Sequence, residues 1–204
     1  MVSKAFVAGG KAAGYTSGGL MIPNITLNVG TAGNRALFVA VFTEPGCGNC
    51  NTGVTYAGTA MAQITYYATT IANVTLWYLA SPTSGSNDVS YTFSVGYENV
   101  SAVAWSYSGA SQSIPTNFVT GTATQMSPFT ESLTISGSTS WLAGTWFSGS
   151  SILFGGTGTT VRAGIANYVG VDSGATVPPG SRSLQVTNLS GLSETEIWIL
   201  WELS

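Results

Sequence analysis

The chain has 204 residues, 44% of them hydrophobic and only 6% charged, with five Lys and Arg, eight Asp and Glu, no histidine and a formal net charge of −3. Globular chains are usually about 25% charged, so polarity here comes from Ser, Thr, Asn and Gly. The cations Lys4, Lys11, Arg35, Arg162 and Arg182 are scattered and make no basic stripe for nucleic acid. No apolar run approaches the ~20 residues of a membrane helix, and the missing histidine removes the commonest general base and a leading metal ligand.

Residues 1–22 open with MVSKAFVAGGKAAGYTSGGL, an Ala/Gly-rich arm without the apolar core of a secretory signal. Its small residues suit close approach to a neighbouring subunit, with Phe6 as the anchor, and its removal is expected to leave the rest folded. Short β-rich runs follow, predicted at 24–29, 35–42, 53–56 leading into 61–67, 74–80, 89–95, 101–107, 117–122, 132–135, 141–147, 160–168, 183–187 and 194–202. Turn-forming clusters such as SPTSGSND, SGASQSIP and ATVPPGS separate them. In VSYTFSV, Val89, Tyr91, Phe93 and Val95 share one face, the half-buried antiparallel pattern. ALFVAVF and IWILWEL are apolar on both faces and need cover on both sides, one of them from a partner. No segment keeps a helical apolar stripe for three turns, so no substantial helix is expected. About a dozen strands without a linker-like break predict an all-β chain: one antiparallel β-sandwich of jelly-roll type over 23–204, with two small sandwiches as the alternative.

Candidate chemistry is sparse. Cys47 and Cys50 stand in FTEPGCGNCNTGV. A redox Cys-x-x-Cys opens a helix, and zinc needs four ligands; neither condition is met, so a structural hairpin-tip loop is expected, closed by a short disulfide or left as two thiols. A Ser nucleophile would have only Lys4 or Lys11 for activation. Glu194 and Glu196 share a strand face, which allows the paired carboxylates of a glycosidase, about 5 to 9.5 Å apart. The competing expectation is that they keep the end of a strand in water and discourage edge pairing. Asp88, beside Asn87, is a lone acid and weak as a calcium ligand. Trp141 and Trp146 are five residues apart and Trp198 and Trp201 three apart, so each pair splits between strand faces. That disfavours a flat sugar platform and places some rings, Trp198 and Trp201 among them, at assembly contacts. No catalytic residue, metal site or cofactor is expected.

The segments NRALFVAVF, GVTYAGTAM, VTLWYLASPTSGSNDVSYTFS, VAWSYSGASQSIPT, TSWLAGTWFSG and EIWILWELS together resemble a broad group of Ser/Thr/Gly-rich β-sandwich proteins. These are structural proteins of tailed bacteriophages, such as head decoration and fibre-like proteins, and some bacterial surface proteins. The resemblance covers residues 23–204 and implies a non-enzymatic virion protein assembled in the host cytoplasm. Strands apolar on both faces, the Ala/Gly-rich arm and the few charges predict a homo-oligomer, expected as a trimer, docked on a larger protein lattice such as a major capsid protein, with no nucleic acid or membrane partner. The alternatives are a module that binds surface glycans and an extracellular filament subunit joined by a donated strand.

Overall fold

A computed structural model of the chain describes residues 3–15, 23–94, 99–149 and 151–204. Among these the regular structure is entirely β, in four antiparallel sheets, as the alternation and the punctuating turns predict. The chain divides into two compact units, Met1–Ile114 and Pro115–Ser204.

The first unit contains β1 (Ala5–Tyr15), β2 (Ile25–Val29), β3 (Ala36–Thr43), β4 (Asn51–Tyr56), β5 (Thr59–Ala60), β6 (Ala62–Ala68), β7 (Asn73–Ala80), β8 (Gly85–Phe93) and β9 (Asn99–Ser108). They form two sheets, in the orders β1-β9-β3-β7-β6 and β2-β8-β4-β5. One core draws on both: Leu37, Val39 and Val41 of β3 and Ala102 of β9 join Ile25 and Leu27 of β2 and Tyr56 of β4. The Tyr56 hydroxyl donates within the core to the carbonyls of Leu27 and Gly85, at 3.1 and 3.2 Å.

The second unit contains β10 (Phe118–Met126), β11 (Phe129–Ile135), β12 (Trp141–Ser148), β13 (Leu153–Gly155), β14 (Thr160–Ile165), β15 (Tyr168–Asp172), β16 (Gly180–Asn188) and β17 (Ser193–Leu203). Its sheets run β10-β17-β12-β15-β14 and β11-β16-β13. Phe129, Leu184 and Val186 of one sheet share a core with Leu142, Trp146, Trp198 and Leu200 of the other.

Strand for strand the two units have the same connectivity: β1–β4 match β10–β13, and β6–β9 match β14–β17, with β5 the one addition. Register fixes the correspondence residue by residue. Gly85 and Gly180 open β8 and β16 with φ of 95° and 110°, values that favour glycine, and they face Val29 and Ile135. Four residues further along, Ile25 faces Val89 and Glu131 faces Leu184, so Ile25 and Glu131 are equivalent. Similarly, the Ser81 amide donates to the Arg35 carbonyl and the Ser173 amide to the Leu142 carbonyl. Six residues on, Ala102 faces Val41 and Glu196 faces Ser148, so Ala102 and Glu196 are equivalent.

Three expectations change. The Ala/Gly-rich segment is not an arm. Residues 5–15 are β1, the edge strand of the first unit, paired with β9 from Ala5↔Ser108 to Tyr15↔Asn99. Its small residues serve an approach inside the unit, since a Cβ on Gly10 would lie 2.4 Å from Ile25 Cγ2, and the Phe6 ring meets Tyr107 edge-on at 6.4 Å. Residues 1–2 and 16–22 of the expected arm, and Val95 of the alternating run, lie outside the described residues. The single domain over 23–204 gives way to two units, and the predicted strand 160–168 breaks into β14 and β15 at Ala166, where φ is 49°.

Deleting residues 1–19 should therefore destabilise the first unit, because it strips β9 of a partner and bares a paired edge. A loss of 1 kcal/mol lowers the Tm of a domain this size by about 4–8 °C, and the deletion should exceed that in a thermal unfolding scan. An unchanged Tm would show that β1 contributes nothing.

Candidate functional site

Polar chemistry concentrates on the core-facing side of β17. Side chains alternate along a strand, so Glu194, Glu196 and Glu202 lie on the same face as Trp198 and Leu200, which are in the core. β17 is no edge: β10 and β12 flank it. The expectation that Glu194 and Glu196 keep a strand end in water fails for that reason.

Glu196 is fully buried, with 0% exposure. The side-chain amide of Gln125, from β10, donates both to Glu196 Oε1 and, at 3.0 Å, to Glu131 Oε1 from β11. Burial pushes the Glu196 pKa up to about 8; the Gln125 N–H opposes the rise, the charge of Glu131 adds to it, and the Trp146 indole opposes it. Glu131 is also raised, by burial, while its hydrogen bonds to Gln125 and Glu196 act the other way. At neutral pH Glu196 thus keeps its proton, with the Glu131 carboxyl beside it. This is a carboxyl pair, though not the Glu194 and Glu196 pair that the sequence allowed. The Gln125 amide bridges the two carboxyls.

The other two carboxylates are bound by donors. Glu202 accepts from Asn117 Nδ2 (2.7 Å), the Ser136 amide and hydroxyl (3.1 and 2.8 Å), the Gly137 amide (2.7 Å) and the Ser140 hydroxyl (2.5 Å). Burial alone would raise its pKa, but these bonds hold it down at about 2. Glu194 accepts from the hydroxyls of Ser148, Ser151 and Ser190 and from the Ser151 amide, tying the loop after β12 to the turn before β17. The fifth acid of the unit, Asp172, receives a two-pronged bond from Arg162 at 2.7 and 2.9 Å, and that guanidinium lies over the Trp141 ring at 5.8 Å.

In the first unit Cys47 and Cys50 are joined as a disulfide. The loop is not a hairpin tip, because β3 and β4 belong to different sheets; it carries the chain across the core. Asn51 follows directly, buried, and its side-chain oxygen accepts from Thr75 Oγ1 at 3.0 Å and Trp77 Nε1 at 2.7 Å. The Asn73 amide donates to the Glu44 carbonyl at 2.8 Å, holding the other end of the loop. Asp88 accepts from Thr26 Oγ1 at 2.7 Å across the β2–β8 pair. No group of three His, Cys, Asp or Glu side chains suited to a metal occurs among the described residues.

All six tryptophans are at 8% exposure or less. Trp146 and Trp198 pair directly across β12 and β17 and both enter the core, while Trp141 and Trp201 take the other face, as their spacing predicts. Trp198 and Trp201 are therefore interior residues, not assembly contacts, and β3 and β12 are buried along their whole length. The exposed apolar surface lies elsewhere. Met126, Leu189 and Leu192 are 68%, 67% and 66% exposed, and they gather at one end of the second unit. Met126 faces Ser193 across the β10–β17 pair, the Leu189 amide donates to the Ile152 carbonyl at 2.9 Å, and buried Asn188 grips the turn through the Leu192 carbonyl and the Gly191 amide.

Sequence reasoning missed Glu131 and Gln125. A signal for Glu131 was present: in FTESLTI it stands in phase with Phe129, Leu133 and Ile135, the inward set. Compared with known proteins, the chain matches no family model, no curated protein and no solved structure.

Two outcomes follow from these bonds. The stability Glu202 supplies should be fully present above pH 4.5 and be lost as pH falls towards 2; in Glu202→Gln this acid-side loss should vanish from a pH series of unfolding midpoints. Replacing Cys47 and Cys50 by Ser should cost about 2 kcal/mol, the chain-entropy value for a four-residue loop, measured by denaturant unfolding.

Proposed function

We propose that this chain is a non-enzymatic structural protein of a virion surface, which decorates or cements a bacteriophage capsid or forms part of a projecting fibre. In this reading each unit is a jelly-roll β-sandwich. Support comes from the strand orders, in which first and last strands pair and the second and penultimate strands pair in the other sheet, and from the core each pair of sheets shares. The observation that carries the non-enzymatic reading is the fate of the acids: all five in the second unit are engaged with side chains or amides of the same unit. The resemblance described above supplies the virion setting.

The docking surface in this reading is the apolar end at Met126, Leu189 and Leu192. Fully burying such a side chain is worth about 1.5–3 kcal/mol, and each 1.4 kcal/mol is tenfold in affinity. Replacing all three by Ser should leave circular dichroism unchanged and lower occupancy on purified particles at least about tenfold in co-sedimentation. Equal occupancy of the variant would remove this surface from the reading. Failure of antibody-labelled electron microscopy to find the native protein on particles would remove the virion assignment itself.

A further inference from the structure

We infer that Glu131, Gln125 and Glu196 form a proton-held latch between the two sheets of the second unit, bridged by the Gln125 amide, closed while Glu196 holds its proton and loosened when a base removes it. Gln125 and Glu196 belong to the sheet of β10 and β17, and Glu131 to the sheet of β11, so the hydrogen bonds span the core. The fold itself does not require them. In the first unit the equivalent positions are Ile25 and Ala102, both part of an apolar core. The second unit replaces these with two acids and so makes a sheet-to-sheet contact conditional on a proton.

Nothing nearby can substitute for that proton. β10 and β12 contribute no ionisable side chain, offering only Gln125 and the Trp146 indole. β11 contributes Glu131 alone. On β16 the one charge is Arg182, whose guanidinium donates to the Pro178 and Pro179 carbonyls at 2.8 and 2.9 Å. On β17 itself, Glu194 is held by serines and Glu202 by its five donors. Arg162, the remaining cation of the unit, bonds Asp172. When the Glu196 proton passes to hydroxide or a buffer base, two carboxylates face each other with one amide between them.

The sign of the effect follows. Glu196 has a folded pKa above its unfolded value of 4.5, so the latch contributes fully below pH 4.5 and fades as pH rises through about 8. Loosening would act next to Met126, one residue after Gln125 and 68% exposed, and so on an exposed apolar part of the unit's surface.

The test is amide hydrogen exchange of β11 in the intact chain from pH 5.5 to 9, with rates corrected for intrinsic base catalysis. The wild-type opening constant should rise by up to about tenfold per pH unit and level off near pH 8, the signature of one released proton. Glu196→Gln should give a flat profile, and so should Glu131→Ile combined with Glu196→Ala, which installs the first unit's residues. A variant profile as steep as wild type would overturn the latch. Carbon-detected titration of the wild-type glutamate carboxyls is a second, independent measurement: one should titrate far above the others, and a set that all titrate below pH 6 would also overturn it.

Discussion

In each unit the last strand made is an interior strand of the five-stranded sheet. β9 lies between β1 and β3, and β17 between β10 and β12. Neither five-stranded sheet can close until the C-terminal end of its unit arrives, and the opening strands β1 and β10 have no other partner in their sheets. Such pairings are maximally non-local and carry the entropy of closing a long loop. Much else follows from this position. A strand flanked on both edges and buried on both faces must be apolar at nearly every residue, which is why IWILW and AVAW read as unbroken apolar runs. Polar side chains can appear on it only where the unit supplies specific partners.

Two solutions to one topology can be compared within the chain. The first unit fills its core-facing positions with Ile25 and Ala102 and secures its sheet crossing with the Cys47–Cys50 bridge and the Asn51 amide. The second unit does without a disulfide and turns its acids inward. None of its five acidic residues is exposed, so its surface polarity is left to hydroxyls and amides. A chain with so few charges has used most of them as internal fasteners instead of as a solvent-facing coat.

How much of this is legible in the sequence depends on side-chain type. Strands with a clear apolar set, such as 35–42 and 74–80, can be read nearly in place. β1 cannot, because its glycines and alanines are dictated by the close approach to Ile25, and small residues carry no β signature. The boundary at Ile114 and Pro115 falls in a turn cluster of the same composition as the turns inside each unit. The repetition is hidden because equivalent positions preserve facing and not identity: Val41 against Ser148, Ile25 against Glu131, Ala102 against Glu196. For the candidate site, the shared face of Glu194 and Glu196 can be read directly. That the face points inward cannot, since it depends on β17 being central, which only the closed sheet reveals.

Glu196 and Glu202 show what decides the state of a buried carboxyl. They sit six residues apart on the same face of β17, at 0% and 6% exposure, so burial does not distinguish them. The supply of donors does. Glu202 meets two backbone amides, two hydroxyls and the Asn117 amide, all of which favour the anion. Glu196 meets one amide that it must share and a second carboxyl that needs a donor itself, and the lower-energy arrangement there is to keep the proton. One end of β17 is therefore fastened by a charge and the other by a proton. Acid weakens the first and base the second, so the strand that closes the unit is held most firmly where both conditions are met, between the two titrations.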